Sequence, residues 1–376
     1  MSIKDDTPNN DEEEAPQFSK QASSFIFILT LPILVLLAWT SNFLPSIVEP
    51  TSTKPVIEYV VYAVLLGLII SNLSILIPAT RTPYRKFKRT IRTELLLKIG
   101  LVIYGGKIGA DFAKLDVLAG YFMAAFIQAI LVIITVFLVA YYTALKLFKL
   151  EAKFAAVLAT AVSVCGVSAA IAAAGAVLAE KKQLAHTVTL VIAFSLPLMF
   201  IFPYLALFLR FPDAVAGAWI GGNIDTTAAV LAAGSIHGET AANIAAIVKI
   251  TQNVLIGVVA FTLALYFSFY EKKDELRPSP KELWTRFPKF VLGFLLTMVL
   301  ALPLINVIPL DVAKLLGNIA KWFFAMAFVC IGLSTTLSDF TQMGWKPTGA
   351  YTVATIYNTV LTLITAFLFF GVIFSG

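Results

Sequence analysis

The sequence is poor in charge: only 13% of its 376 residues are Asp, Glu, Lys or Arg, about half the ~25% of an ordinary water-soluble domain. That is too little polar surface to coat a soluble globule of this size. It holds only two cysteines and two histidines. Cys165 and Cys330 both fall within long apolar runs, so the sequence supports neither a disulfide framework nor a zinc site. His186 and His237 flank apolar segments and read as interfacial rather than catalytic. A nucleotide-binding loop, an HExxH pair, a nucleophile elbow and a carboxylate pair with a base are all missing, so nothing supports an enzyme. The longest polar connection beyond the N-terminal stretch is about 271–287, too short for a soluble catalytic domain.

What the sequence has is apolar residues, 59% of the chain, arranged in runs rather than amphipathic stripes. About 20 residues of helix cross the ~30 Å hydrocarbon layer. Eleven stretches qualify as segments: 24–47, 56–78, 95–113, 117–144, 152–179, 185–209, 213–234, 239–270, 288–308, 312–337 and 347–375. The expected fold is an all-α polytopic membrane protein, with residues 23–376 forming one transmembrane domain. Residues 1–22 are polar and acidic, carry Asp11, Glu12, Glu13 and Glu14, and read as a disordered cytoplasmic tail.

Basic residues mark the cytoplasmic side of a membrane protein. The loop after segment two carries Arg81, Arg85, Lys86, Lys88, Arg89 and Arg92; Lys146, Lys149 and Lys153 follow segment four; Lys272, Lys273, Arg277, Lys281 and Arg286 follow segment eight. All three clusters follow even-numbered segments, which places the N-terminus in the cytoplasm and the protein in the inner (plasma) membrane. The net charge of +6 belongs to these loops and calls for no nucleic-acid partner.

Two stretches echo each other: SAAIAAAG at 168–175 and TAAVLAAG at 227–234, each followed five residues later by a glutamate, Glu180 and Glu239. A weaker echo relates segments three and four to ten and eleven through Asp111–Phe112 and Asp339–Phe340. Segments three and ten would point in opposite directions, whereas five and seven would point the same way. That mixture suits an inverted repeat if five and seven are re-entrant hairpins, leaving nine spanning segments. Lys181 and Lys182 would then be cytoplasmic. The alternative is that both segments span but are broken midway.

Either arrangement interrupts helical backbone at membrane depth, which is tolerated only where the freed groups face protein or a cavity. Carriers use such breaks as sites, with helix N-termini facing anions and unwound carbonyls facing cations. The first break is Ser163-Val164-Cys165-Gly166-Val167-Ser168, and the second is Gly221-Gly222-Asn223-Ile224-Asp225-Thr226-Thr227. Asp225, an ionisable group within an apolar segment, is a candidate by default. Flanked by Thr226 and Thr227, it could carry a proton or help ligate sodium, or it could cap the helix that follows. In segment eight, Lys249, Gln252 and Asn253 share one helical face. Lys249 either lines a cavity, where it would attract an anion, or snorkels at the outer interface. Gln128 and Asn358, in comparable places in segments four and eleven, read as interhelical glue, and Lys98 as a snorkelling residue.

The sequences CGVSAAIAAA at 165–174, GGNIDTTAAVLAAG at 221–234 and NIAAIVKITQNVLIGVVAF at 243–261 resemble the motifs of the YeiH-like bacterial membrane proteins, a family associated with sulfate export. The resemblance runs from about segment two to the C-terminus. The family is similar to the wider antiporter and anion-symporter superfamily, which implies inverted repeats, a core and scaffold division and an elevator movement. The chain departs from the family pattern at one point: Asp225 stands where better-known members have histidine, and Thr226 at their acidic position.

The reading that follows is a secondary transporter exporting or exchanging a small anion, such as sulfate or an organosulfonate, driven by protons or sodium and with no other cofactor. Asp225, Thr226 and Thr227 would form the coupling centre; Ser163, Cys165, Gly166, Ser168 and Asn223 the opposed half-site; Lys249 and Gln252 the positive, polar wall. A cation/proton antiporter using Asp225 is the second reading, and a channel or a non-transporting subunit the third. The partners are the solute and the bilayer, with self-association left open.

Overall fold

The computed structural model describes residues 20–48, 59–77, 80, 83–84, 87–88, 90–111, 115–271, 289–304, 310–335 and 344–371. Most of the 1–22 tail lies outside the described residues, as do Arg81, Arg85, Lys86, Arg89, Phe112, Asp339, Phe340 and the basic residues between 272 and 287. Among the described residues every regular element is helical.

The described helices begin with α1 (Lys20–Val48), α2 (Tyr59–Leu76), α3 (Thr93–Asp111) and α4 (Leu115–Tyr142), which ends in a π-helical turn at Thr143–Leu147. The segment at 152–179 then breaks. Its first arm, α5 (Ala152–Thr160), widens into a π-helical turn at Ala161–Cys165, and Gly166 turns the chain into α6 (Val167–Val177). Gly166 has φ 64° and ψ −118°, a conformation that only glycine adopts without strain. The arms α5 and α6 pack against each other. A straight helix forbids that contact, since residues seven apart are ~10 Å apart along its axis. This segment is therefore a hairpin.

The long helix α7 (Lys181–Phe208) follows, its start held by a reciprocal capping box between Glu180 and Gln183. The segment at 213–234 breaks in the same way: α8 (Asp213–Asn223) leads through extended residues into α9 (Thr227–His237), and the two arms again pack together. Next come α10 (Glu239–Val254) and α11 (Ile256–Glu271), one span with an irregularity at Leu255. The chain closes with α12 (Phe290–Leu304), α13 (Leu310–Ser334) and α14 (Trp345–Ala366), the last ending in a π-helical turn at Phe367–Gly371. Among the described residues, six stretches are long and apolar enough to cross a membrane: 59–76, 119–147, 181–208, 239–267, 314–334 and 345–371.

These elements form two packed groups. In the first, α3 lies against α12 and α13, α2 lies against α13, and α1 packs on α2 and α13. Close approach replaces the hydrophobic drive that lipid removes. A Cβ built on Gly332 would sit 2.7 Å from Leu68 N and 2.8 Å from Gly67 Cα, so α2 and α13 touch backbone to backbone. Gly332→Leu is expected to force them apart, at roughly 1–3 kcal/mol or more for overpacking. A fall in the melting temperature of the detergent-solubilised protein checks this, and an unchanged value would show that the helices can spread.

The second group holds α4–α11 and α14. The span α10–α11 measures it from end to end: α10 packs on α8 and α9, while α11 packs on α6. Along α14, Gly349 meets Phe148 near the base of the first hairpin, and Gly371 meets Val215 near the base of the second. The two hairpins thus enter from opposite ends. Re-entrance, rather than a broken span, is the arrangement found. Lys146, Lys149, Lys153, Lys181 and Lys182 share one end of the group. Asp213, His237 and Glu239 share the other.

Candidate functional site

The tips of the two hairpins meet. A Cβ on Gly166 would lie 3.2 Å from Asp225 Cβ and 3.3 Å from Asp225 O, so the absence of a side chain at Gly166 is what lets the tips touch. Beside this contact, between the two helical groups, lies a cavity of about 620 Å³. Cys165 and Ser168 line it from the first hairpin and Thr226 and Thr227 from the second, facing Leu97 and Lys98 of α3.

Both half-helix N-termini border this cavity, through Val167 and Ser168 of α6 and through Thr227, Ala228 and Ala229 of α9. The first-turn N–H groups of a helix have no partner within it and carry partial positive charge. Thr226 Oγ1 accepts the Ala229 N–H at 3.2 Å, and the Cys165 sulfur takes that of Ala169. The capping role considered for Asp225 therefore falls to Thr226, because the helix starts one residue later than the Gly-Gly pattern suggests.

The C-terminal carbonyls exposed at the breaks are held from behind by α10 and α14. Lys249 Nζ donates to Val164 O at 3.0 Å and to Gln252 Oε1 at 2.7 Å, and Gln252 Nε2 donates to Gly222 O at 3.1 Å. From α14, Asn358 Nδ2 donates to Val162 O at 3.4 Å and Asn223 O at 3.2 Å. Each of the two helices thus ties both hairpins. The Asp225 carboxylate accepts the Tyr351 hydroxyl of α14. Its charge and that of Lys249 attract across the tip contact, but no ion pair joins them.

The residues singled out in the sequence divide accordingly. Cys165, Ser168, Thr226 and Thr227 face the cavity, while Gly166 and Asp225 make the tip contact. Asn223, Lys249 and Gln252 belong to the network behind it, where Asn223 Nδ2 donates to Thr359 Oγ1 at 3.0 Å. Ser163 bonds only to the Thr160 carbonyl, at 3.5 Å. Lys249 does not snorkel: it is 1% exposed, because the first hairpin folds over it. Lys98, read as snorkelling, pairs with Glu94 at 2.8 Å beside the cavity. Tyr351 and Thr359 went unnoticed in the sequence. Their signal is a polar stripe, Tyr351-Thr355-Asn358-Thr359-Thr362-Thr365, at helical spacing in an otherwise apolar segment.

The cavity reaches the basic end, where Glu94, Lys98, Lys289 and Ser334 border it. Toward the other end the groups are joined: Lys107 of α3 pairs with Glu239 at 2.5 Å, and the Tyr104 hydroxyl donates to Asn243 Oδ1 at 2.6 Å. If these contacts hold that end shut, Glu239→Gln with Tyr104→Phe will expose the cavity from there. In a Cys330→Ser background, a membrane-impermeant maleimide added on that side should label Cys165 several-fold faster. Unchanged labelling would show that the pairs do not gate access.

Residues 27–350 match the family described as conserved hypothetical protein 698. The chain belongs to that family. It is the family of the YeiH-like membrane proteins that the two small-residue motifs resemble. Among its relatives, UPF0324 membrane protein RB9488 of Rhodopirellula baltica is 36% identical over 370 residues, covering 94% of this chain and 65% of that protein. A UPF0324 membrane protein of Nitratidesulfovibrio vulgaris is 34% identical over 327 residues, covering 83% of this chain and 54% of that protein. UPF0324 membrane protein Cgl0015/cg0018 of Corynebacterium glutamicum is 26% identical over 345 residues, 90% of this chain and 92% of that protein. The chain thus spans less than two thirds of the length of the first two. No solved structure matches it. Family and fold together make the chain a polytopic, all-α membrane protein.

Proposed function

We propose that the chain is a secondary carrier for a small anion, rather than an enzyme or a channel. The observation that carries this reading is the convergence of two half-helix N-termini on one cavity. Each terminus has the effect of roughly half a positive charge on a nearby anion, and unpaired N–H groups there suit sulfate or sulfonate oxygens. Lys289 at the mouth adds attraction for an anion entering from the basic end, where the charge of Lys98 is balanced by Glu94. The wall opposite the tips is apolar, with Leu97, Leu101, Leu196 and Met199. An anion with a hydrocarbon part, such as an organosulfonate, fits it better than bare sulfate.

Asp225, at the tip contact, serves as the coupling residue in this reading, since a carboxylate repels an anion unless a proton or cation neutralises it. The hairpin group would move as a body against α1–α3, α12 and α13, carrying the site across the plasma membrane from its cytoplasmic, basic end. The test is uptake of radiolabelled alkanesulfonate and sulfate into proteoliposomes, with and without ion gradients. Saturable uptake that a gradient accelerates supports the proposal. A cation/proton exchanger is the second reading, favoured by the lack of an ion-pair partner for Asp225. Sodium–proton exchange at full rate with no anion present would establish it instead.

A further inference from the structure

Helix α14 carries threonines at 348, 352, 355, 359, 362 and 365. Thr348, Thr352, Thr359, Thr362 and Thr365 each donate their hydroxyl to the carbonyl four residues back, the usual way of satisfying a helical threonine. Thr355 does not: it is 7% exposed, and its Oγ1 has no partner. Three residues on, Asn358 is 1% exposed. Its amide N–H groups point at the Val162 and Asn223 carbonyls, which orients the side chain and leaves Oδ1 also without a partner. The third group is the Asp225 carboxylate, 3% exposed, bonded to Tyr351 and paired with no cation.

Chain register brings these three together. Residues 223–225 run alongside α14 in the opposite direction, with Asn223 O bonded to Asn358 and Asp225 bonded to Tyr351. Thr355 lies between those two anchor points on the same helical face.

We infer that Thr355 Oγ1, Asn358 Oδ1 and the Asp225 carboxylate form a binding site for a monovalent cation of sodium's size. The inference rests on the carrier function proposed above, for which it supplies the coupling ion. Oxygen ligands suit a hard cation. A single carboxylate is too little charge for calcium, and an anion would meet only oxygens. A proton would neutralise Asp225, but its single O–H could satisfy at most one of the two neutral oxygens. Lys249, tied to Val164 and Gln252, competes for the same carboxylate and keeps the affinity modest, as reversible coupling requires.

Thermal melting of the detergent-purified chain in sodium, potassium or choline chloride at constant ionic strength tests the site. Sodium alone should raise the melting temperature, saturably. Thr355→Val should raise the half-saturating sodium concentration at least tenfold while melting like the native chain in choline, and Thr355→Ser should restore it. Equal melting in all three salts overturns the site and leaves an ordered water between these oxygens. Alkanesulfonate uptake separates the two proposals. Sodium binding without uptake removes the carrier reading and keeps the site, whereas uptake indifferent to sodium, with no sodium-induced shift, removes the site and keeps the carrier.

Discussion

Asp225→Asn is expected to reduce gradient-driven anion uptake by about two orders of magnitude while leaving membrane insertion and elution behaviour unchanged. The amide has nearly the shape of the carboxylate, and its oxygen can still accept the Tyr351 hydroxyl. What disappears is the negative charge, buried at the tip contact with no ion pair of its own. A coupling ion held by a charged acceptor loses roughly 1.5–3 kcal/mol of interaction when that charge is removed, and the upper figure corresponds to a factor of more than 100. Uptake at constant anion concentration, with the gradient on and off, reads the effect. Uncoupled leak in place of driven uptake fits a coupling role. An aggregating or non-inserting variant would show that Asp225 holds the fold, and uptake at the native rate would remove it from the mechanism.

Gly166→Val should be the most damaging substitution in either hairpin. The backbone there has φ 64°, which costs a side-chain-bearing residue about 1–3 kcal/mol. The Cβ alone would lie 2.7 Å from Val191 Cγ1 and 3.2 Å from Asp225 Cβ, and valine adds two methyl groups to that overlap. The tips must then separate, and the half-helix N-termini lose their common cavity. Uptake should fall below detection and the melting temperature should drop by several degrees, with Gly166→Ala intermediate. Gly175→Ala on the same hairpin is the control: no atom lies within 4 Å of its added Cβ, and alanine favours helix over glycine by about 1 kcal/mol. Comparable losses in both variants would mean that the hairpin resists any added bulk and that the tip contact has no special place.

Much of this architecture could be read along the chain. Hydropathy marks a membrane helix residue by residue, so the segments at 117–144 and 185–209 became α4 and α7 to within a few residues, and 347–375 starts within two residues of α14. The breaks were legible for the same reason: Gly166 and the Gly221–Thr227 stretch interrupt apolar runs with residues that turn or hydrate the backbone. The mixed parity of the two sequence echoes left hairpins and broken spans as the alternatives, and the packing of α5 on α6 and of α8 on α9 decides for hairpins.

Depth and partnership were not legible. Lys249 sits ten residues into a long helix, and counting residues left it between cavity and interface. Only the first hairpin, folding over it and presenting Val164 O, buries it. Asp225 finds Tyr351 across a separation of 126 residues, and the same register leaves Thr355 and Asn358 with bare oxygens. Helix formation and membrane insertion depend on neighbours within a turn or two, and a linear sequence carries that information directly. Which polar atoms end up satisfied depends on how separate helices meet in space, and only the folded chain decides that.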